Sequence, residues 1–392
     1  MKLGGLELIR VEIPFRAAIA TAAGVHRRRS LLFVRIETDE GEGWGECAAM
    51  SEGTLVDPTT DQVERAIIER GVNRIIESSA ARSGHLPDGI EVAQLFSSSP
   101  VDRFMASVME MAVIDAELRS RGESLGASLG VGPGYRTVPV GAAFGIPPDA
   151  DLDHLRRAVR AAVARGSMRV RIKIAPGWDV HVVAALRSEH PDLSIQVDAN
   201  GSFRLDAPID DPARADRLAE LVDFGVVCVE QPLAPGDLVA HHLLRARLGP
   251  GVPICLDESL SSPQRVRHAI RDRSLDIACL KPGRLGGMVA TRQAHAECTA
   301  AGVMAFVGGF FEAGLGRCAN LALAAHLAQV ATGLVGDVSD PCDYLEVDPC
   351  GYPPVQQGWV EVSGEPGVGQ PPDQGVLDNL GAQRRWFPAT YT

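Results

Sequence analysis
The sequence predicts an α/β chain in which a parallel β/α barrel carries the chemistry, and three observations support that prediction. Five short apolar runs occur between residues 168 and 287, at 168–174, 194–200, 226–231, 253–258 and 277–282. Each run carries a charged residue at or near its end, in order Lys173, Asp198, Glu230, Asp257 and Lys281. These residues stand 25, 32, 27 and 24 residues apart, close to the roughly 30 that one strand–helix unit of a β/α barrel occupies. Catalytic groups in such a barrel gather at the C-terminal ends of its strands, which is where all five sit.

In chain order, residues 2–16 and 29–39 alternate apolar and polar side chains. Residues 41–47 follow a turn at Asp39-Glu-Gly41, so the start of the chain reads as a three-stranded antiparallel meander. Between the first two strands, residues 17–29 are rich in Ala and Gly and end in His26-Arg-Arg-Arg29. That stretch reads either as a solvated loop end or as a loop that closes over an anionic substrate. Residues 60–80 and 101–121 have helical spacing. In the second of these, Phe104, Val108, Met111, Ala112 and Leu118 share one side and Gly122 is the stop signal. Asp115 lies on the same side and needs a hydrogen-bond partner if it is buried. The Ser/Gly-rich stretch 82–99 is expected to be a loop.

After Pro133-Gly134, strands and helices alternate. Strands are expected at 137–144, 168–174, 194–199, 226–231, 253–257, 277–281, 303–307 and 333–338. Helices are expected at 151–165, 179–189, 213–223, 237–248, 263–272, 287–301 and 315–330. This is the pattern of a (β/α)7β TIM-like barrel. From Asp340 the chain is Pro/Gly-rich, reads as irregular, and is expected to return to the N-terminal part. The predicted organisation is an α+β capping domain over residues 1–130, a catalytic barrel over 131–340, and a C-terminal segment over 341–392 that packs back on the capping domain.

With 392 residues, 45% of them hydrophobic, the chain can bury one large core and a second, smaller one. A formal net charge of −12 argues against nucleic acid or an anionic membrane surface as a partner. The first residues carry no secretory apolar region, and no run approaches the roughly 18 apolar residues of a membrane span. Eight cysteines without CxxC pairs read as free thiols of a reducing compartment, so the expected location is the cytoplasm. Cys228, Cys255 and Cys279 each stand two residues before a strand-end functional group and therefore point inward. They read as packing, because the oxygen donors lie one layer above them.

Asp198, Glu230 and Asp257 lie on consecutive strand ends with no His or Cys at that level, a hard oxygen set suited to Mg2+ or Mn2+. Lys173 and Lys281 end the flanking strands and place one ammonium on each side. A lysine serves as a base near neutral pH when a nearby cation lowers its pKa, and Arg171 supplies a permanent one. The competing reading makes each lysine a structural ion pair with a carboxylate. A metal between two amines suits removal of a proton next to a carboxylate, through an enediolate that the metal stabilises. Proton return from the opposite lysine racemises the centre, whereas loss of a β-leaving group dehydrates it.

Several motifs resemble those of the enolase superfamily: Lys173 in its Arg-Ile-Lys-Ile-Ala-Pro-Gly context, Val197-Asp-Ala-Asn-Gly201, Glu230-Gln-Pro232, Leu256-Asp-Glu-Ser259 and Lys281-Pro-Gly-Arg-Leu-Gly-Gly287. Within it, the sequence is most similar to the o-succinylbenzoate synthase / N-succinyl (N-acyl) amino acid racemase group. The similarity extends to Gly43-Trp-Gly-Glu-Cys47 and to residues 308–317. It implies that Asp198, Glu230 and Asp257 bind Mg2+ and that Lys173 and Lys281 are the acid/base pair. It also implies that Asn200 supports a metal water or the substrate carboxylate, that Glu258 backs the ligands, and that Arg284 tunes Lys281. Arg171, Gly308, Gly309, Phe310 and Glu312 are implied to support the site or line the substrate pocket. The expected activity is racemisation of N-acyl (N-succinyl) amino acids or synthesis of o-succinylbenzoate, by a homo-oligomer acting on a small carboxylate. The alternatives are a specialised relative acting on another carboxylate and, less favoured, a non-enzymatic binding barrel.

The sequence departs from that group in places. Arg171 stands for the first lysine of a Lys-x-Lys, Phe310 and Ala313 replace the usual Met and Thr, and the 48–60 loop lacks the expected tyrosines. Strand seven does not end in a His, and the last strand lacks the Asp-x-Asp of the dipeptide epimerases. The substitutions in the pocket leave the acid/base residues in place and bear on the choice of substrate.

Overall fold
A computed structural model describes residues 1–21, 24–54, 56–96, 99–203, 212–330 and 334–389. The chain begins with β1 (Leu3–Thr21), β2 (Gly24–Thr38), β3 (Gly41–Glu46), α1 (Thr60–Ala66), α2 (Val72–Ala80), α3 (Gly89–Leu95), α4 (Pro100–Arg121) and α5 (Leu125–Ser128). An alternating series follows, opening with β4 (Thr137–Pro139), β5 (Gly141–Phe144), α6 (Leu152–Ala164), β6 (Arg169–Lys173), α7 (Val180–Glu189), β7 (Ser194–Asp198) and α8 (Pro212–Ala219). It continues with β8 (Val229–Glu230), α9 (Leu238–Leu248), β9 (Ile254–Leu256), α10 (Pro263–Arg271), β10 (Ile277–Leu280), α11 (Pro282–Leu285), α12 (Met288–Ala300), β11 (Met304–Val307) and α13 (Gly314–Val330). The last elements are β12 (Trp359–Glu361), α14 (Gln374–Asn379) and β13 (Gln383–Pro388).

The N-terminal strands form an antiparallel sheet in the order β13-β1-β2-β3. Its period-2 pattern serves two cores. Leu6, Leu8, Leu32, Val34 and Ile36 pack with Val63, Ile75, Phe104 and Val108 of the helices. Ile9, Val11, Ile13, Leu31 and Phe33 pack with Leu315, Ala319 and Leu323 of α13. The long helix α4 is well signalled: the Ser99 side chain accepts from the Asp102 amide, Pro100 opens the first turn, and Gly122 ends the helix in the left-handed region. It lies directly on β3 because that strand has glycines at the contact. A Cβ on Gly43 would stand 2.2 Å from the Ala112 carbonyl oxygen, and one on Gly45 2.1 Å from that of Val108. Asp115 is buried and has the partners its position demands: it accepts from the Trp44 amide (2.9 Å), the Val368 amide (2.6 Å) and Arg119 Nε (2.7 Å).

The second sheet is parallel and seven-stranded, in the sequential order β11-β10-β9-β8-β7-β6-β5. It curls, and its strands bury side chains on both faces, which is why they read as near-continuous apolar runs. Between strands and helices lies a core that includes Val170, Ile172, Ile195, Val197, Ile254, Leu256 and Leu280. Register places Lys173 beside Asp198, and Asp198 beside Glu230. The segment 334–338 is not a strand, although its backbone meets edge strand β11 and a side chain of β6: the Asp337 amide donates to the Val307 carbonyl (2.9 Å), and Arg169 Nη2 donates to the Gly336 carbonyl (3.1 Å).

Other expectations need correction as well. Residues 82–99 include α3, which a capping box between Asp88 and Glu91 starts. The stretch 137–144 is two strands, because β4 leaves to pair antiparallel with β12 and only β5 joins the parallel sheet. Residues 17–29 are not a loop end: Ile19 pairs with His26, Ala20 with Val25 and Thr21 with Gly24, extending the β1–β2 hairpin. Residues 22–23 and 333, part of that stretch and of the expected last strand, fall outside the described residues. Arg29 is fully buried and donates to the carbonyls of Ser30, Cys47, Ala49 and Phe311. The C-terminal stretch is not wholly irregular, since it supplies β12, α14 and β13.

Candidate active site
The five strand-end residues form two ion pairs around a central carboxylate. Lys173 Nζ lies 2.5 Å from Asp198 Oδ2, and Lys281 Nζ lies 2.9 Å from Asp257 Oδ2. Glu230, on the strand midway between the two lysines, accepts from Gln196 Nε2 (2.5 Å) and Arg171 Nη1 (3.3 Å). Both donors stand two residues before a strand-end group, so they project into the interior one layer down. Arg171 is shared with Asp337, whose Oδ2 it reaches at 2.7 Å. Asn200 holds a left-handed backbone, with φ of 43°. Its amide donates to Asp198 Oδ1 (3.0 Å) and its side chain to Glu258 Oε1 (2.9 Å).

The turn that carries Lys281 is held from several directions. Arg284 is buried and forks across two carboxylates. Its Nε and Nη2 donate to Asp57 (2.8 and 2.7 Å), and its Nη1 donates to Asp257 Oδ1 (2.6 Å) and to the Asp257 carbonyl (2.9 Å). The Phe310 ring centre lies 4.6 Å from Lys281 Nζ and 5.2 Å from the Arg284 guanidinium carbon. Gly308 leaves room for the lysine: a Cβ there would come within 2.4 Å of Cys279 Sγ and 2.9 Å of Lys281 Cε. The Gly309 amide donates to Asp337 Oδ2 (3.3 Å). Glu312 accepts from the Phe310 amide (2.8 Å) and Asn320 (3.1 Å) and pairs with Arg317 (3.2 Å), so its carboxylate shapes the 308–312 turn.

Burial, reinforced by the charge of Asp198 and opposed by Arg171, pushes Glu230 up to about 8. Burial together with Asp257 and Asp198 pushes Glu258 up to about 7. Burial would also raise Asp257, but Lys281 and Arg284 outweigh it and hold that carboxyl well below the usual range. Burial acts to lower Lys281, yet the Asp257 charge prevails and its pKa is raised. Facing Asp257, Lys281 is therefore held toward its ammonium form.

The donors fit a divalent cation. Glu230, Asp257 and Cys279 each offer a ligand atom within 4.8 Å of the others. Glu258 Oε2 is buried without a hydrogen-bond partner, and Glu230 is fully buried. Asp198 falls outside that cluster, its carboxylate engaged by Lys173. Burial and the charge of Asp257 keep the Cys279 thiol protonated, which leaves a mainly carboxylate set that favours a hard ion. Cys228, Cys255 and Cys279 pack with Ile277 and Phe306 in a small cluster beneath the carboxylates.

Three residues of this arrangement escaped the sequence reading. Gln231 lay in a quoted motif but was given no role. Its Oε1 accepts from the amides of Asp257 (3.1 Å) and Ser259 (3.0 Å), which fixes the turn carrying Asp257. Asp337 had a signal, since it follows Val307 by about one strand–helix period. Asp57 had none.

A family profile described as "Enolase C-terminal domain-like" matches residues 154–376. The chain is 34% identical to an N-succinylamino acid racemase from Amycolatopsis sp, over 99% of this chain and 100% of that one. It is 31% identical to an o-succinylbenzoate synthase from Geobacillus stearothermophilus, over 98% and 97% of the two chains. The crystal structure of an enolase superfamily member from Listeria innocua Clip11262 superposes with a TM-score of 0.87 at 27% identity, covering 100% of both chains.

Proposed function
The chain belongs to the enolase superfamily, and from that premise we propose that it removes the proton α to a carboxylate, racemising N-acyl (N-succinyl) amino acids or forming o-succinylbenzoate by dehydration. It is an enzyme of the isomerase or lyase kind. The observation that carries the specific reading is the symmetry about Glu230: an ammonium–carboxylate pair on each side, Lys173 with Asp198 and Lys281 with Asp257.

Asp198, Glu230 and Asp257 are the residues that would hold Mg2+ or Mn2+, whose charge when bound stabilises the negative charge developing on the substrate carboxylate. One lysine, deprotonated, takes the α-proton onto its Nζ from one face, and the other, protonated, returns a proton from the opposite face. For the mirror-image substrate the two exchange roles. Arg171, held by Asp337, keeps a permanent cation one layer below Lys173. Asn200 and Glu258 brace the Asp198 and Asp257 strand ends against each other.

The same reading includes a closed (β/α)7β barrel in which residues 334–338 take the eighth place, supported by their hydrogen bonds to Val307 and Arg169. It includes a capping domain over 1–130, a barrel over 131–340 and a returning segment over 341–392, supported by the pairing of β13 with β1. A homo-oligomer in the cytoplasm belongs to it too, the location supported by eight free cysteines, seven of them buried. Among the described residues no helix is long and apolar enough to cross a membrane.

A second substrate reading, a different carboxylate, draws on the aromatic bulk around the Gly308-Gly309 turn. Phe310 covers Lys281, and Phe311 packs edge-on against Phe15 (5.7 Å) and Tyr344 (5.4 Å). The test is proton NMR in D2O with Mg2+ over N-succinyl and N-acetyl amino acids, followed by polarimetry. Loss of the α-proton with inversion supports racemisation, and turnover of the cyclohexene precursor of o-succinylbenzoate alone supports dehydration. Silence with both moves the substrate outside the group, and full turnover by Glu230→Ala in EDTA would sink the metal chemistry.

A further inference from the structure
The barrel side of the site is tied to the N-terminal layer through one charged chain, Asp57–Arg284–Asp257–Lys281. Asp57 lies on the connection between β3 and α1, far from the strand ends in sequence. Its position there is built: the Thr54 hydroxyl donates to Asp57 Oδ2 (3.0 Å) and accepts from the Asp57 amide (3.0 Å). Both carboxylate oxygens then take the fork of Arg284 at 2.8 and 2.7 Å, with the two side chains 5% and 3% exposed. The rest of the α11 turn is fastened to the same layer. Arg103 Nε donates to the Arg284 carbonyl (2.9 Å), and Gly283 packs against Ala48 and Phe104.

We infer that Asp57 is a positioning residue for the acid/base chemistry, acting through Arg284 on Asp257 and Lys281. This rests on the function proposed above. The argument is one of charge order. Along the chain the signs alternate: minus at Asp57, plus at Arg284, minus at Asp257, plus at Lys281. With Asp57 present, Arg284 is balanced from behind, and Asp257 can spend its charge on Lys281 and on a divalent ion. Without Asp57, a buried guanidinium has Asp257 as its remaining carboxylate partner. Arg284 then competes with the ion for one oxygen of Asp257 and with Lys281 for the field of the other. Lys173 has no part in this chain; its partner is Asp198. The effect is therefore one-sided, and a loop of the N-terminal layer sets the working geometry of one lysine only.

The experiment uses Asp57→Asn, with Thr54→Val as the milder variant that loosens Asp57 without touching its charge. Mn2+ binding in the absence of substrate is followed by electron paramagnetic resonance of the free ion. Exchange of the α-proton in D2O is measured from each enantiomer separately, the faces having been assigned with Lys173→Ala and Lys281→Ala. Asp57→Asn is expected to weaken Mn2+ by about 10-fold and to slow exchange on the Lys281 face by about 10- to 100-fold, the range typical for partners behind metal ligands. Exchange on the Lys173 face stays within about 3-fold, a split that a general loss of structure would not produce. Thr54→Val shifts both quantities the same way by less, and it decides the matter if Asp57→Asn does not fold. Wild-type values throughout, or an equal fall on both faces, overturn the role of Asp57 and leave the proposed function standing. A wild-type protein that neither binds Mn2+ nor exchanges either enantiomer removes the proposed function and the role of Asp57 with it.

Discussion
Arg171 shows how much of this site is decided by single buried charges. Its guanidinium joins Glu230 at 3.3 Å to Asp337 at 2.7 Å, and all three side chains are largely shielded from water. Removing one partner of such a group leaves charge uncompensated, at a cost of about 3–5 kcal/mol. Asp337→Asn should therefore lower the free energy of unfolding in urea by about that much. It should also weaken Mn2+ binding, because the whole of Arg171 then bears on Glu230. Equal stability in the variant would mean that water or another group already neutralises Arg171. Lys281→Ala should cut turnover by about 10²- to 10⁴-fold, the usual contribution of a general acid or base. Racemisation rates by polarimetry would check this, with undiminished turnover counting against Lys281. At this scale the sequence was informative where chemistry recurs with the strand period. Lys173, Asp198, Glu230, Asp257 and Lys281 could be read because each ends an apolar run. Asp57 could not, because its meaning depends on meeting Arg284, 227 positions away.

Among the elements, α12 depends on a carboxylate from another helix. Glu110 of α4 is fully buried and accepts from the amides of Met288 (2.5 Å) and Val289 (3.2 Å), satisfying the free donors at the helix start. Burial dominates its environment and pushes it from 4.5 up to about 8. A carboxyl raised in this way binds its proton more tightly folded than unfolded. Stability is then greatest below about pH 4.5 and declines as pH climbs toward 8. Glu110→Gln does not titrate, so between pH 5 and 8 the wild type should lose about 3–4 kcal/mol relative to the variant. Urea midpoints at several pH values would measure this, and parallel curves would show that Glu110 keeps an ordinary pKa. Local signals predicted most helices well, as Ser99, Pro100 and Gly122 did for α4. They misread residues 137–144, where an unbroken apolar run hides a change of sheet between Pro139 and Gly141. Strand propensity reports an extended backbone but not its partner.

For the whole molecule, the pairing of β1 with β13 joins the two ends of the described chain, with Gly5 opposite Pro388 and Arg10 opposite Gln383. A chain stopped after Ala382 would leave the outer edge of β1 without its partner and expose the rim of a buried apolar sheet. Such a protein should melt several degrees lower and aggregate on heating, as light scattering during a thermal ramp would detect. Unchanged melting would show that β13 contributes little. That closure was only partly readable: the return of the Pro/Gly-rich tail could be anticipated, but nothing local in residues 383–388 says which edge they complete.

The same pairing has a consequence for how the molecule is made. Strand β1 leaves the ribosome about 380 residues ahead of its neighbour β13, which at cellular synthesis speeds of about 5–20 residues per second is roughly 20–80 s. Over that interval the edge of β1 is bare while the parallel sheet is assembled strand by strand. A bare strand edge held open for that long is a template for pairing with other chains, so aggregation during synthesis is a hazard distinct from the stability of the finished fold.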